Sequence, residues 1–209
     1  MKKIEICCTG NSGRSPIAEA VGNNYVKELG LEEKILFISS GTRAAPEWDD
    51  YWPYDKAAEM ITRAAGSGLV KDMDVDKDRY DADEEYNAAV SSHARKALRL
   101  MRPIEVALRD AALYQNGLEY TGKRTQLVPR DDVFLVLGVK EKHVRQIREI
   151  YSGAENPPEI ALLNRYAGLE GETADCLGRL SIMPYLKVVE HCKEIMPKVI
   201  ERFRGEQGV

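Results

Sequence analysis

Lys3-Ile4-Glu5-Ile6-Cys7-Cys8 runs into Thr9-Gly10-Asn11-Ser12-Gly13-Arg14, and Ser15-Pro16-Ile17-Ala18-Glu19-Ala20 follows. The opening residues alternate apolar and polar, as a strand does, and the Gly-flanked polar run stops that strand in a tight loop. Ser15 is a cap-type residue, and Pro16 stands where a helix start takes proline. Ala18, Val21, Tyr25 and Leu29 then recur at helical spacing until Gly30 closes the segment. A strand, a loop and a helix in that order open an α/β fold.

Downstream the rhythm returns. Ile35–Ile38, Val133–Leu137 and Ile160–Leu163 read as short buried strands. A basic helix with Val144, Ile147 and Tyr151 follows the second of these, and a last helix carries Val189, Cys192, Met196, Val199 and Phe203 on one stripe. Pro197 is expected to kink that helix. Strands alternating with helices imply a doubly wound, mostly parallel four-stranded sheet with helices on both faces. Residues 44–130 break the rhythm. They open on Pro46, Trp48, Tyr51, Trp52 and Pro53, then read as helical over Lys56–Ala65 and Ala88–Tyr114. The expectation is one domain over 1–209, with a largely helical insertion at about 44–130 packed on the α/β core.

Composition narrows the class. A 209-residue chain buries roughly 70% of its unfolded surface and needs no staple. Apolar content of 44% and a net charge of −4 argue against disorder and make non-specific nucleic-acid binding a poor default. No apolar run approaches the ~18 residues of a membrane span, and the start lacks a signal-peptide core, so a cytoplasmic setting is expected. Cys7, Cys8, Cys176 and Cys192 include no CxxC pair, so each is expected to be buried or used as a thiolate, without a metal or other cofactor.

The loop between the first strand and the first helix lies where an α/β sheet binds ligands. Successive amides of a Gly-rich turn form an anion nest, and the helix start adds its positive dipole end. Thr9, Gly10, Asn11, Ser12, Gly13, Arg14 and Ser15 are therefore the expected phosphate-binding run. Arg14 can fork two phosphoryl oxygens, and the same field favours Cys8 as a thiolate nucleophile. Ser15 can donate to the sulfur, and Asn11 tolerates left-handed backbone angles. Cys7 points to the other side of the strand and reads as core.

Cys8-Thr9-Gly10-Asn11-Ser12-Gly13-Arg14-Ser15-Pro16-Ile17-Ala18-Glu19-Ala20 resembles the phosphate loop and first helix of the low-molecular-weight protein tyrosine phosphatase family. The resemblance covers Lys3 to about Gly41, where Ser39-Ser40-Gly41-Thr42 is similar to the family's second-strand signature, and resumes from about Asp131 to Phe203. It implies Cys8 as nucleophile, Arg14 as phosphate clamp, and Asn11 and Ser15 as loop supports. It also implies a general acid in an Asp-Pro-Tyr-Tyr-like motif before the last helix. The matching stretch here is Thr173-Ala174-Asp175-Cys176-Leu177-Gly178, which names Asp175. Position supports Asp175 separately, because a loop leaving the carboxyl edge of the sheet can reach the same crevice. Pro and both Tyr of the motif are replaced, and Gly13 stands where the family often has a second loop cysteine. The family walls its cleft with an aromatic from the stretch that here holds Trp48 and Trp52.

The implied activity is hydrolysis of phosphomonoesters, first of all protein phosphotyrosine, through a phosphocysteine. The partners are a phosphorylated protein or small aryl phosphate, with inorganic phosphate or another oxyanion as competitor, and neither nucleic acid nor membrane. Protein-arginine phosphatases and arsenate reductases are relatives to weigh. Ser12 holds the place of a loop threonine in the former, whereas the latter need mid-chain cysteines that this chain lacks between Cys8 and Cys176. A phosphate-binding or scaffold protein without turnover is the alternative of a different class. Asp74-Val75-Asp76-Lys77-Asp78 mimics a calcium loop but lacks its turn glycine. His93, His143 and His191 lack metal-ligand spacing and read as surface or half-buried helix residues.

Overall fold

A computed structural model describes residues 1–44, 53–176 and 179–208. In chain order its elements are β1 (Lys2–Cys8), α1 (Arg14–Glu28), β2 (Ile35–Gly41), α2 (Tyr54–Gly66), α3 (Lys77–Ala82), α4 (Glu84–Tyr114), β3 (Val133–Gly138), α5 (Glu141–Ile150), β4 (Glu159–Leu162), α6 (Leu163–Tyr166) and α7 (Met183–Gln207). The four strands form one parallel sheet in the order β2-β1-β3-β4. α7 runs on through Pro197.

Period-two alternation divides β1 between two cores. Ile4, Ile6 and Cys8 join α1 and α7 in the larger cluster, while Cys7 faces Val136, Ile147 and Tyr151 on the α5 side. Helices thus cover both faces. β1 and β2 end together, with Cys8 opposite Gly41, and the backbone closes there. A Cβ on Gly41 would sit 2.5 Å from the Thr9 carbonyl oxygen, so only glycine permits this approach.

The 44–130 stretch contributes an extra helical region. The first half of α4 packs Val90 and Ala94 against Ala57 and Ile61 of α2 and Tyr80 of α3. Its second half brings Ala112 and Leu113 into the main cluster, so one long helix ties the added layer to the sheet. Asp76, within the calcium-like run, accepts from the Arg79 amide at 2.9 Å and caps α3. The chain then returns beside β2, where the Gly41 amide donates to Thr125 O and the Leu127 amide to Gly41 O, both at 2.9 Å.

Glu5 lies fully buried in β1, with Arg130 Nη1 3.9 Å away as its ion-pair partner. Burial is the larger effect and raises its carboxyl above the ordinary range. The ionised form therefore costs folding stability at neutral pH, and the cost fades as pH falls through the carboxylate range. Glu5→Gln is expected to raise Tm at pH 7 and to leave it unchanged near pH 4. A Tm–pH series on both proteins checks this, and a lower Tm at pH 7 would show the Arg130 pair to dominate.

Candidate active site

The cysteine loop is held from outside. Cys8 O accepts from the Thr42 amide at 2.9 Å, Thr9 O from the Arg43 amide at 2.8 Å, and Gly13 O from the Ile17 amide at 3.1 Å. Gly10 O accepts from Arg124 Nε at 2.9 Å, and Ser12 O from Arg109 Nη1 at 3.3 Å. Each of these carbonyls is drawn into the surrounding protein. Among the described residues the amides of Gly10 to Gly13 take no backbone acceptor, and no side chain caps α1 at Gly13. That is the arrangement of an anion nest at a helix start.

Asn11 takes the left-handed turn expected of it, with φ 50°. Its Oδ1 accepts from the Thr125 amide at 2.7 Å, and its Nδ2 donates to Ser39 Oγ at 2.9 Å and to Ser15 Oγ at 3.2 Å. Ser15 Oγ lies 3.0 Å from Cys8 Sγ and 3.1 Å from Ser40 O, so its single proton is available to the sulfur or to the carbonyl. Cys8 is only 4% exposed. It lines a small cavity of about 20 Å3 with Thr9, Gly10, Ser12, Gly13 and Arg14. Glu105, Cys176 and Tyr185 complete that cavity.

Arg14 is as buried as Cys8, and its Nη2 lies 3.3 Å from Asp175 Oδ1. Lys140 Nζ holds the other oxygen of Asp175 at 3.3 Å. Asp175 is 39% exposed and opens onto a cleft of about 410 Å3 between the loop, α2 and α4. The structure thus brings Cys8, Arg14, Ser15 and Asp175 to one place. Trp48 and Trp52, read as a cleft wall, lie outside the described residues, as do Leu177 and Gly178 beside Asp175.

Besides Arg124, Lys140 and Tyr185, four further contributors were missed. His143 is fully buried, not a surface or half-buried residue, and its Nε2 lies 2.9 Å from Thr9 Oγ1. Burial first, then the charges of Arg14, Lys142 and Lys140, push its imidazole down to about 3, so it is neutral. Arg109 and Glu105 come from α4, one turn apart; the first stacks 4.6 Å over Tyr120 and braces Ser12. Cys176 is buried, and burial pushes its thiol up to about 12. Spacing along α4 could have placed Glu105 and Arg109 on one helix face, but nothing in it named the loop as their partner.

Comparison with known proteins bears on this geometry. The family model for low molecular weight phosphotyrosine protein phosphatase matches residues 3–67, which spans the cysteine loop. The low-molecular-weight protein tyrosine phosphatase from T. tengcongensis is 19% identical and superposes with a TM-score of 0.57 over 97% of this chain and 99% of its own. The chain has the low-molecular-weight phosphatase fold. YwlE arginine phosphatase from Geobacillus stearothermophilus gives 19% identity and a TM-score of 0.59, covering 99% of this chain and 96% of that one. The drosophila arginine phosphatase DARP gives 15% and 0.60, over 98% of each chain. No curated protein matches the chain. The family model covers the stretch from β1 through α2, and the structural likeness shows the fold. No described helix is long and apolar enough to cross a membrane.

Proposed function

We propose that the chain is a cysteine-dependent phosphatase that hydrolyses phosphomonoesters, first of all protein phosphotyrosine, through a phosphocysteine. The observation that carries this is the shared cavity of Cys8 and Arg14, with a serine hydroxyl on the sulfur and the loop carbonyls turned away. Cys8 attacks phosphorus in line with the leaving group, and the phosphoryl oxygens rest on the loop amides and the Arg14 fork. Asp175, at the mouth, supplies the leaving oxygen with a proton and later takes one from water. Phosphorus passes to sulfur and then to water, which yields inorganic phosphate and the free thiolate. The loop needs neither a metal nor another cofactor for these steps. Residues 1–209 serve this reading as one domain, with the helical insertion forming one wall of the cleft.

The cleft of about 410 Å3 shares Thr9, Gly10, Ser12 and Arg14 with the Cys8 cavity and has room for a phosphorylated side chain. Phosphoarginine is the second reading. The described cleft lining sets the carboxylates Asp55, Glu59, Glu105 and Asp175 among the cations Arg14, Arg43, Lys56, Arg63, Arg102 and Lys142, with no aromatic ring, so carboxylates that could pair a guanidinium are present. Paired kcat/KM measurements on phosphotyrosine and phosphoarginine peptides decide the order, with phosphotyrosine expected to lead. A reversed order makes this an arginine phosphatase. Hydrolysis of neither, with phosphate still bound, leaves a phosphate-binding protein.

A further inference from the structure

Gly13 leaves a gap in the wall of the loop. A Cβ there would lie 2.8 Å from Cys176 Sγ and 3.8 Å from Cε1 of Tyr185. A Cβ at 13 would push the Cys176 sulfur aside, while the Tyr185 ring stands at ordinary contact distance from the loop. Tyr185 belongs to the first turn of α7 and is 1% exposed. It lines the same cavity as Cys8 and Arg14, and among the described residues its buried hydroxyl has no hydrogen-bond partner.

A buried hydroxyl without a partner is rare, because it has given up water for nothing. Ring packing alone would be served by phenylalanine. Arg14 Nη1 is in the same condition, buried and without a partner on the same cavity. Two unpartnered donors beside an inward-facing amide loop define a socket for acceptor oxygens. Burial, then the neighbouring carboxyl of Glu105 and the Cys176 thiol, hold the Tyr185 phenol well above its ordinary range, so it stays protonated. Glu105 brings negative charge to the cavity, which disfavours an anion unless donors outweigh it. Arg14, the phenol and the loop amides are those donors.

We propose that Tyr185 is an oxyanion-contacting residue of this site, its hydroxyl donating to a non-bridging oxygen of the phosphoryl group beside the Arg14 fork. This rests on the reading that the cavity receives that group, and it adds a side-chain donor from the last helix.

Tyr185→Phe removes only the oxygen. Inorganic phosphate and orthovanadate are titrated against wild type and variant, with Tm followed with and without ligand, and p-nitrophenyl phosphate supplies kcat and KM. A hydrogen bond to a charged oxygen corresponds to about 10- to 100-fold. The expected result is vanadate inhibition weakened by that factor, a similar fall in kcat/KM, and a smaller ligand-induced rise in Tm. The ligand-free Tm should hold or increase, since an unpaired buried hydroxyl has gone. Equal vanadate affinity in the two proteins would overturn the proposal. So would a drop in ligand-free Tm with ligand affinity kept, which marks a structural hydroxyl. If wild type itself binds neither oxyanion, the phosphatase reading falls and Tyr185 with it. If wild type binds and the variant matches it, only the Tyr185 assignment fails.

Discussion

Cys8→Ser abolishes aryl-phosphate hydrolysis, a loss on the order of 10⁴-fold or more, while the protein keeps its fold and its affinity for phosphate. Exchange of sulfur for oxygen is nearly isosteric at a side chain this buried. An alcohol at the same place is not ionised near neutral pH, and the side chain on it, Ser15 Oγ, is a donor at 3.0 Å, not a base. Loss of a nucleophile commonly costs orders of magnitude that the rest of the site does not restore. Arg14 and the loop amides remain, so phosphate should still raise Tm in the variant. Turnover of p-nitrophenyl phosphate and the phosphate-induced Tm shift are measured together. Activity within tenfold of wild type, with the fold intact, would remove the covalent route.

The parts of this site that the sequence exposed are those built from adjacent residues. Alternation in Lys3–Cys8 placed Cys8 at a strand end, and the polar loop before Pro16 placed the helix start; both stand in the structure. Asn11 was readable because few residues other than glycine and asparagine accept its backbone angles. What stayed hidden was pairing across distance. The helical period of α4 shows which residues share a face, yet it does not reveal that the second half of the helix re-enters the main core and lays Arg109 on Ser12 O. His143 sits among Lys140 and Lys142 in the sequence, which read as surface. Its partner, Thr9 Oγ1, is 134 residues away, and a neutral buried imidazole leaves no local trace. Cys176 stood out only as a departure from a familiar motif, although its sulfur occupies the space that a side chain at Gly13 would fill.

Asp175→Asn should lower turnover of an alkyl phosphate ester by about 10²–10⁴, the usual range for losing a general acid. Arg14 and Lys140 each lie 3.3 Å from its carboxylate oxygens, and both charges favour the ionised form. A carboxylate so placed is ready as the base of the second step. On the proposed reading it serves as the acid once an incoming phosphoryl dianion offsets the two cations. Asparagine keeps the size of the side chain and loses both functions. Nitrophenolate leaves with little help, so attack on p-nitrophenyl phosphate should suffer less than release of the phosphocysteine. The expected trace is a burst of nitrophenol followed by slow turnover. Asp131→Asn and Asp132→Asn are the controls; Asp132 is exposed and ion-paired with Lys3 at the opposite end of β1, so neither should reproduce the burst. Wild-type turnover of both esters by Asp175→Asn would sink the acid assignment and leave Glu105, whose carboxyl lines the Cys8 cavity, as the group to change next.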